Sequence, residues 1–435
     1  MKRTALLTLQ AWKTKQTRKP LIIQGARQVG KTWLMKSFGQ TEFEQTAYFN
    51  FENQQELRKL FERSLQPEIL LKGMSIIAGF QIYPKTCLII LDEIQACPLA
   101  ITSLKYFHEE LPETYILAAG SLLGVSIHQG VSFPVGKVEF MSLQPFSFTE
   151  FLLATGHSQL IDSLKANNET LIEAFETKYI ELLKSYLFVG GMPEAVKLYS
   201  QGASLSEIRK LQSEILSAYE NDFSKHAPIN LLPRIRLIWN SIVSQLSKEN
   251  SKFIFNVLRP GARAKDFELA LEWLKDAGLI HKITRITKSG IPLTAYADWN
   301  DFKLYFVDVG LLGALAQIPE QILLNGNSLF TEFKGVLTEQ FVLQQLLVNE
   351  LIPFYWRPEN AQAEVDFVIQ KGIHIIPIEV KSGTSLQAKS LWVYSQKYKP
   401  KICVRTSLKL YEINDWVTDI PLYRLGAFLE LDENI

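Results

Sequence analysis

A short apolar run, Leu21-Ile22-Ile23-Gln24, opens into Gly25-Ala26-Arg27-Gln28-Val29-Gly30-Lys31-Thr32 and continues as Trp33-Leu34-Met35-Lys36. Glycine, four residues, then Gly-Lys-Thr is a phosphate-binding pattern only between a strand and a helix, and both flanks are present. Glycines let successive backbone N–H groups turn inward around phosphates, and the following helix presents its positive end to them. Lys31 is then placed to contact the β- and γ-phosphates, and the Thr32 hydroxyl to bind Mg2+. The candidate nucleotide-binding set is Gly25, Ala26, Arg27, Gln28, Val29, Gly30, Lys31 and Thr32.

Two further apolar runs extend the pattern. Leu88-Ile89-Ile90-Leu91 ends in Asp92-Glu93. Asp92 at the strand end would hold the metal through water, and Glu93 would polarise the attacking water as general base. Tyr115 to Ala119 ends at Gly120-Ser121, which makes Ser121 a candidate γ-phosphate sensor, with a turn-capping serine as the plain alternative. All three runs are apolar throughout, as strands buried on both faces of a parallel sheet are, and helical patterns separate them.

The chain is 435 residues long, about three times the ~150 of an ordinary domain. The texture divides into residues 1–150 with the loop, a helical stretch 151–230, a segment 231–318 and a mixed α/β stretch 319–435. The 46 basic and 45 acidic residues leave +1, so no global field attracts nucleic acid or membrane. Three cysteines without a CxxC pair exclude a disulfide framework and a cysteine zinc site. Six histidines without HxxxH or HExxH spacing offer no metal site either. No apolar run approaches the ~18 residues of a membrane span, and Met1 to Lys13 is too weakly apolar for a secretory signal. The expectation is a cytoplasmic protein with no membrane partner.

The loop, Asp92-Glu93, Gly120-Ser121 and the run Leu143-Gln144-Pro145-Phe146-Ser147-Phe148-Thr149-Glu150-Phe151 together resemble the AAA-type P-loop ATPases of bacteria and archaea. The resemblance runs nearly end to end, to a branch whose C-terminal half is a domain of unknown function. It implies ATP and Mg2+ as ligands, with Lys31 and Glu93 as the residues of hydrolysis. That branch often carries Gly-Arg where this chain has Gly136-Lys137, and a lysine cannot bridge two phosphate oxygens as arginine does. Many relatives complete their site across a subunit boundary, which makes a homo-oligomer an expectation, although no residue here is identified as the arginine that would do so.

Residues 231 to about 315 read as three helices and a β-ribbon, similar to a winged helix. Phe267, Leu271, Leu274 and Ala277 lie at helical spacing, and Gly278 is suited to a left-handed stop. Lys252, Arg259, Arg263 and Lys265, with Lys282, Arg285 and Lys288 on the ribbon, would serve DNA-backbone contacts. Asp266, Glu268, Glu272 and Asp276 on the would-be recognition helix oppose base reading. A protein-contact module is the alternative.

Near the C-terminus, Glu364-Val365-Asp366-Phe367-Val368-Ile369 and Ile373 to Ile378 read as a hairpin followed by Glu379-Val380-Lys381. Glu379 and Lys381, two apart, project to one face, and Asp366, read as late on the first strand, would face them. Upstream, Glu339 lies on the apolar face of a helix over 336–350, where a carboxylate is costly unless paired or metal-bound. Glu339, Asp366, Glu379 and Lys381 resemble the grouping of the PD-(D/E)XK nuclease fold. There acidic groups hold Mg2+ and a lysine positions or activates water. The fold class expected is α/β: a P-loop NTPase parallel sheet with helical extension, a winged-helix-like segment and a C-terminal nuclease-like domain. Three functions fit: an ATP-driven switch engaging DNA or a protein, an ATP-regulated nuclease, and an interaction ATPase with an inactive nuclease-like domain.

Overall fold

The computed structural model describes residues 3–120, 134–247, 252–325, 331–359, 363–383 and 387–431. They form two compact units, one of residues 2–144 with 276–279, the other of 145–275 with 280–435.

In the first unit, the described strands are β1 (Leu21–Gln24), β2 (Gln45–Asn50), β3 (Cys87–Asp92), β4 (Tyr115–Ala119) and β5 (Glu139–Ser142), ordered β2-β3-β4-β1-β5. Every pairing is parallel. β3 is buried along its whole length, as a strand covered on both faces must be. The crossover helices include Lys31–Glu42, Gln55–Arg63, Pro67–Ala78 and Pro98–Glu110. Pro67–Ala78 starts on a proline and stops at Gly79 with φ +78°, the expected asymmetry of helix ends. Its Leu70 and Met74 join Phe49, Phe51, Leu57, Phe61, Ile89 and Leu91 in one core.

In the second unit, helices occupy 148–246 almost continuously, and two carry capping boxes, Ser147 with Glu150 and Ser204 with Glu207. The described strands are β6 (Ile280–Ile286), β7 (Ala297–Phe306), β8 (Phe354–Trp356), β9 (Val365–Lys371), β10 (His374–Val380), β11 (Val404–Ser407), β12 (Glu412–Ile413) and β13 (Thr418–Pro421). They make one mixed sheet, ordered β12-β13-β11-β10-β9-β8-β6-β7.

Several local expectations change here. Of the three helices read before the ribbon, the middle one is only a 3₁₀ turn, Phe255–Val257, between helices Leu232–Leu246 and Ala264–Asp276. The ribbon is longer than its sequence signal: β6 starts at Ile280 and β7 runs to Phe306, with the 3₁₀ turn Leu293–Tyr296 between them. It is also no free wing. β6 pairs in parallel with β8, so the ribbon is built into the C-terminal sheet. Asp366 stands at the start of β9, not late on it. Antiparallel pairing nevertheless brings that start to the end of β10, with Phe367 opposite Ile378. Asp419 is fully buried on β13 opposite Arg405 of β11, with Arg405 Nε to Oδ1 at 2.6 Å and Nη2 to Oδ2 at 2.7 Å.

This pair tests the sheet. Asp419→Ala takes both of these contacts from the buried Arg405 guanidinium. The substitution should destabilise the C-terminal unit by about 3–5 kcal/mol. Urea unfolding monitored by circular dichroism should show it as a lower midpoint, and replacing both residues by apolar ones should cost less.

Candidate functional site

β1 delivers the chain into the loop at Gly25, whose φ of +144° only glycine adopts without strain. A Cβ there would also run into the Leu143 carbonyl oxygen. Gln28 takes φ +65° and Gly30 φ +92°, and the helix Lys31–Glu42 begins at once. The loop is held from outside by Arg3, whose guanidinium donates to the Val29 carbonyl at 3.1 Å and to the Gln144 carbonyl at 2.6 Å. Arg3 was not singled out in the sequence, since an arginine distant along the chain from the motif carries no spacing signal.

Lys31 is buried, and its ammonium donates to the Gly25 and Ala26 carbonyls, both at 2.8 Å. Burial pushes its pKa down to about 8, against the opposing pull of Glu93 and Asp92. The Thr32 hydroxyl donates to Asp92 Oδ2 at 2.7 Å, and the Tyr48 hydroxyl donates to the same oxygen at 2.9 Å. Thr32 and Asp92, 60 residues apart in sequence, thus stand side by side. Their hydroxyl and carboxylate oxygens are the hard donors Mg2+ prefers, and the ion would need only to replace the hydrogen bond between them. The residues fit the group. Bound there, Mg2+ would neutralise phosphate charge, with Thr32 as direct ligand and Asp92 reaching it through water.

Glu93 follows β3 with φ +50° and ψ +44°, a left-handed conformation that costs a non-glycine residue of order 1 kcal/mol and marks functional turns. The Gln95 carboxamide donates to Glu93 Oε2 at 2.6 Å, a contact the sequence reading missed, and the remaining Gln95 oxygen is buried without a partner. Arg27 stands 3.7 Å from Glu52. Lys137 is engaged with Glu109 at 3.0 Å. Ser121 lies outside the described residues.

The second group of candidates meets on the C-terminal sheet. The Lys381 ammonium reaches Glu379 Oε1 at 2.7 Å, and the Val380 amide donates to Asp366 Oδ2 at 2.7 Å. Burial raises the Asp366 pKa well above the usual carboxylate range, with Glu379 and Glu339 adding to it. Burial also raises Glu379, with Lys381 opposing and Glu339 adding. For Lys381, burial alone would lower the pKa, but Glu379, Asp366 and Glu339 outweigh it and the net shift is upward. Glu339 accepts from the Tyr305 hydroxyl at 2.7 Å.

Sequence reasoning missed Lys303 and Tyr305 in this cluster. Lys303 is 1% exposed, 2.5 Å from Glu364 Oε1 and 3.9 Å from Glu339 Oε2. Asp301, Lys303 and Tyr305 alternate with apolar Phe302, Leu304 and Phe306 along β7, the pattern of a strand with one wet face. That face is instead buried. For the metal implied by the nuclease resemblance, the fit is poor. Glu379 Oε2 is buried without a hydrogen-bond partner, which a cation could use. Yet among the described residues no group of three or more His, Cys, Asp or Glu side chains is set to hold a metal ion.

The basic residues of the would-be DNA surface are partly consumed by internal pairing. Lys252 is 3.0 Å from Asp301, Arg263 3.4 Å from Asp266, and Arg285 2.6 Å from Asp298.

Residues 17–152 match the family model described as AAA domain. The N-terminal unit carries an AAA domain. Behind it, residues 180–322 match a domain of unknown function, DUF8612, and residues 334–425 match another, DUF4143. No curated protein matches the chain. Among solved structures, the Orc1 protein of Aeropyrum pernix in complex with DNA is similar at 12% identity, over 72% of this chain and 91% of that one. Its TM-score is 0.28, and a likeness of that size carries no argument about DNA. Among the described residues no helix is long and apolar enough to cross a membrane.

The AAA domain's lysine sets a pH dependence. Above about pH 8 the buried Lys31 is neutral in the nucleotide-free protein. Triphosphate charge beside it favours the ammonium, so binding there must take up a proton, whereas well below that pH the ammonium is already formed. Calorimetry of Mg·ATP binding at high pH, in two buffers of different ionisation enthalpy, should show uptake approaching one proton that fades toward pH 6.5. Equal heats in both buffers at high pH would contradict it.

Proposed function

We propose that the chain is a Mg2+-dependent ATPase used as a molecular switch, in which nucleotide state at the AAA domain biases how the C-terminal unit engages a partner. One observation supports this reading: Lys31, Thr32, Asp92 and Glu93 stand at the C-terminal ends of β1 and β3, with the Thr32 hydroxyl bonded to Asp92. Loop amides and Lys31 hold the phosphates. Thr32 and Asp92 would hold Mg2+. Glu93, kept beside the metal pair by its turn and by Gln95, takes the proton of the attacking water. A switch of this kind works only if ATP binds one conformation of the chain more tightly than another.

A protein is the partner we favour. Pairing of Lys252 and Arg285 with the buried Asp301 engages two of the seven cations that a DNA backbone would need. The C-terminal cluster enters this reading as a structural element and not as a nuclease.

Lys31→Ala should abolish Mg·ATP binding in calorimetry, and a variant that still hydrolyses ATP normally would end the assignment. Glu93→Gln should keep binding and lower turnover by roughly 10²–10⁴-fold, the usual size of a general-base contribution. Wild-type protein with Mg2+ or Mn2+ should cut single- and double-stranded DNA or RNA no faster than Asp366→Ala does; cleavage abolished by that substitution would restore the nuclease reading.

A further inference from the structure

We infer that Lys303 is the resident cation of the C-terminal carboxylate cluster: its ammonium, between Glu364 and Glu339, fills the position that a divalent ion takes in a metal-dependent site. The inference concerns the C-terminal unit alone. ATP binding and hydrolysis do not enter it, so it can fail while the ATPase reading stands, and the reverse.

Lys303 lies on β7 one alternation away from Tyr305, so both side chains leave the sheet on the same face. Its ammonium is 2.5 Å from Glu364 Oε1 and 3.9 Å from Glu339 Oε2, with the Tyr355 ring centre 5.1 Å away. The same Glu339 oxygen accepts from the Tyr305 hydroxyl at 2.7 Å. A carboxylate oxygen already served by a hydroxyl and faced by an ammonium is poorly disposed to give a lone pair to a metal.

The other acids are similarly engaged. Asp366 is held by the Val380 amide and Glu379 by Lys381. Four carboxylates, Glu339, Glu364, Asp366 and Glu379, therefore face two ammonium groups, Lys303 and Lys381. A buried ammonium cannot leave as an ion can, because its stem is part of β7. A divalent ion added beside it would meet a fixed like charge in a medium that screens poorly. That repulsion accounts for a cluster with a nuclease-like set of acids in which no three are set around a common ion. One atom, Glu379 Oε2, is buried without a hydrogen-bond partner, while Oε1 of the same carboxylate receives Lys381.

The test is Mn2+ binding to the full-length, nucleotide-free chain, read as loss of the free-ion signal in electron paramagnetic resonance. In wild-type protein, Glu339→Gln and Glu364→Gln should leave Mn2+ binding unchanged, because no ion uses those oxygens. Lys303→Met should create a site at least about tenfold tighter than any in the wild type, since a fixed positive charge a few ångströms away is gone. Adding Glu339→Gln to that variant should remove the new site and so place it at the cluster. A wild-type Mn2+ site that disappears in Glu339→Gln or Glu364→Gln would overturn the inference, as would a folded Lys303→Met chain with no gain. If Lys303→Met fails to fold, the two glutamine variants in the wild-type background still decide it.

Discussion

Burying a parallel sheet on both faces leaves the chain few places where polar groups can meet solvent or ligand. β3 is covered along its whole length, so Asp92 and Glu93 can act only where that strand ends. β1 imposes the same limit, and its polar loop begins at its last residue. Strands that run in one direction bring these ends to one edge of the sheet. Because β4 lies between β1 and β3, that edge is wide enough to hold a loop and still let Thr32 touch Asp92. Nucleotide chemistry at this edge follows from the way the core is covered.

In the C-terminal unit the burial constraint acts on charge. A sheet face carrying Asp301, Lys303, Tyr305 and Glu379 is closed over, and each group must find a partner inside. Asp301 does so with Lys252, Arg285 and Arg357 and accepts the Tyr355 hydroxyl. Lys303 does so with Glu364. Buried networks of this sort are costly when any member is missing. They therefore specify which strands may be neighbours at least as much as they stabilise the sheet, and β7 is tied to β8 and β9 through them although β6 lies between.

Much of the nucleotide site was legible in the residues. Glycines at positions 25 and 30, Lys31, Thr32 and the Asp92-Glu93 strand end are local signals, since loop shape and strand burial are set by neighbours in sequence. Gln95 and Arg3 were not legible, because each acts through one contact that no periodicity encodes. Legibility fell further in the C-terminal half. The Asp…Glu-x-Lys spacing marked three members of the cluster, but an acidic set reads the same whether a metal or a lysine completes it.

The sequence by itself determined the phosphate-binding loop, the three apolar strands β1, β3 and β4, and the hairpin that carries Asp366 and Glu379. These depend on local backbone chemistry and on the alternation of apolar residues. Only the tertiary structure decided that the ribbon joins the C-terminal sheet and that the polar face of β7 is buried. It alone brought Lys303 to Glu364 and Glu339. Alternation tells which residues share a face, but what covers that face is set by pairings between distant strands.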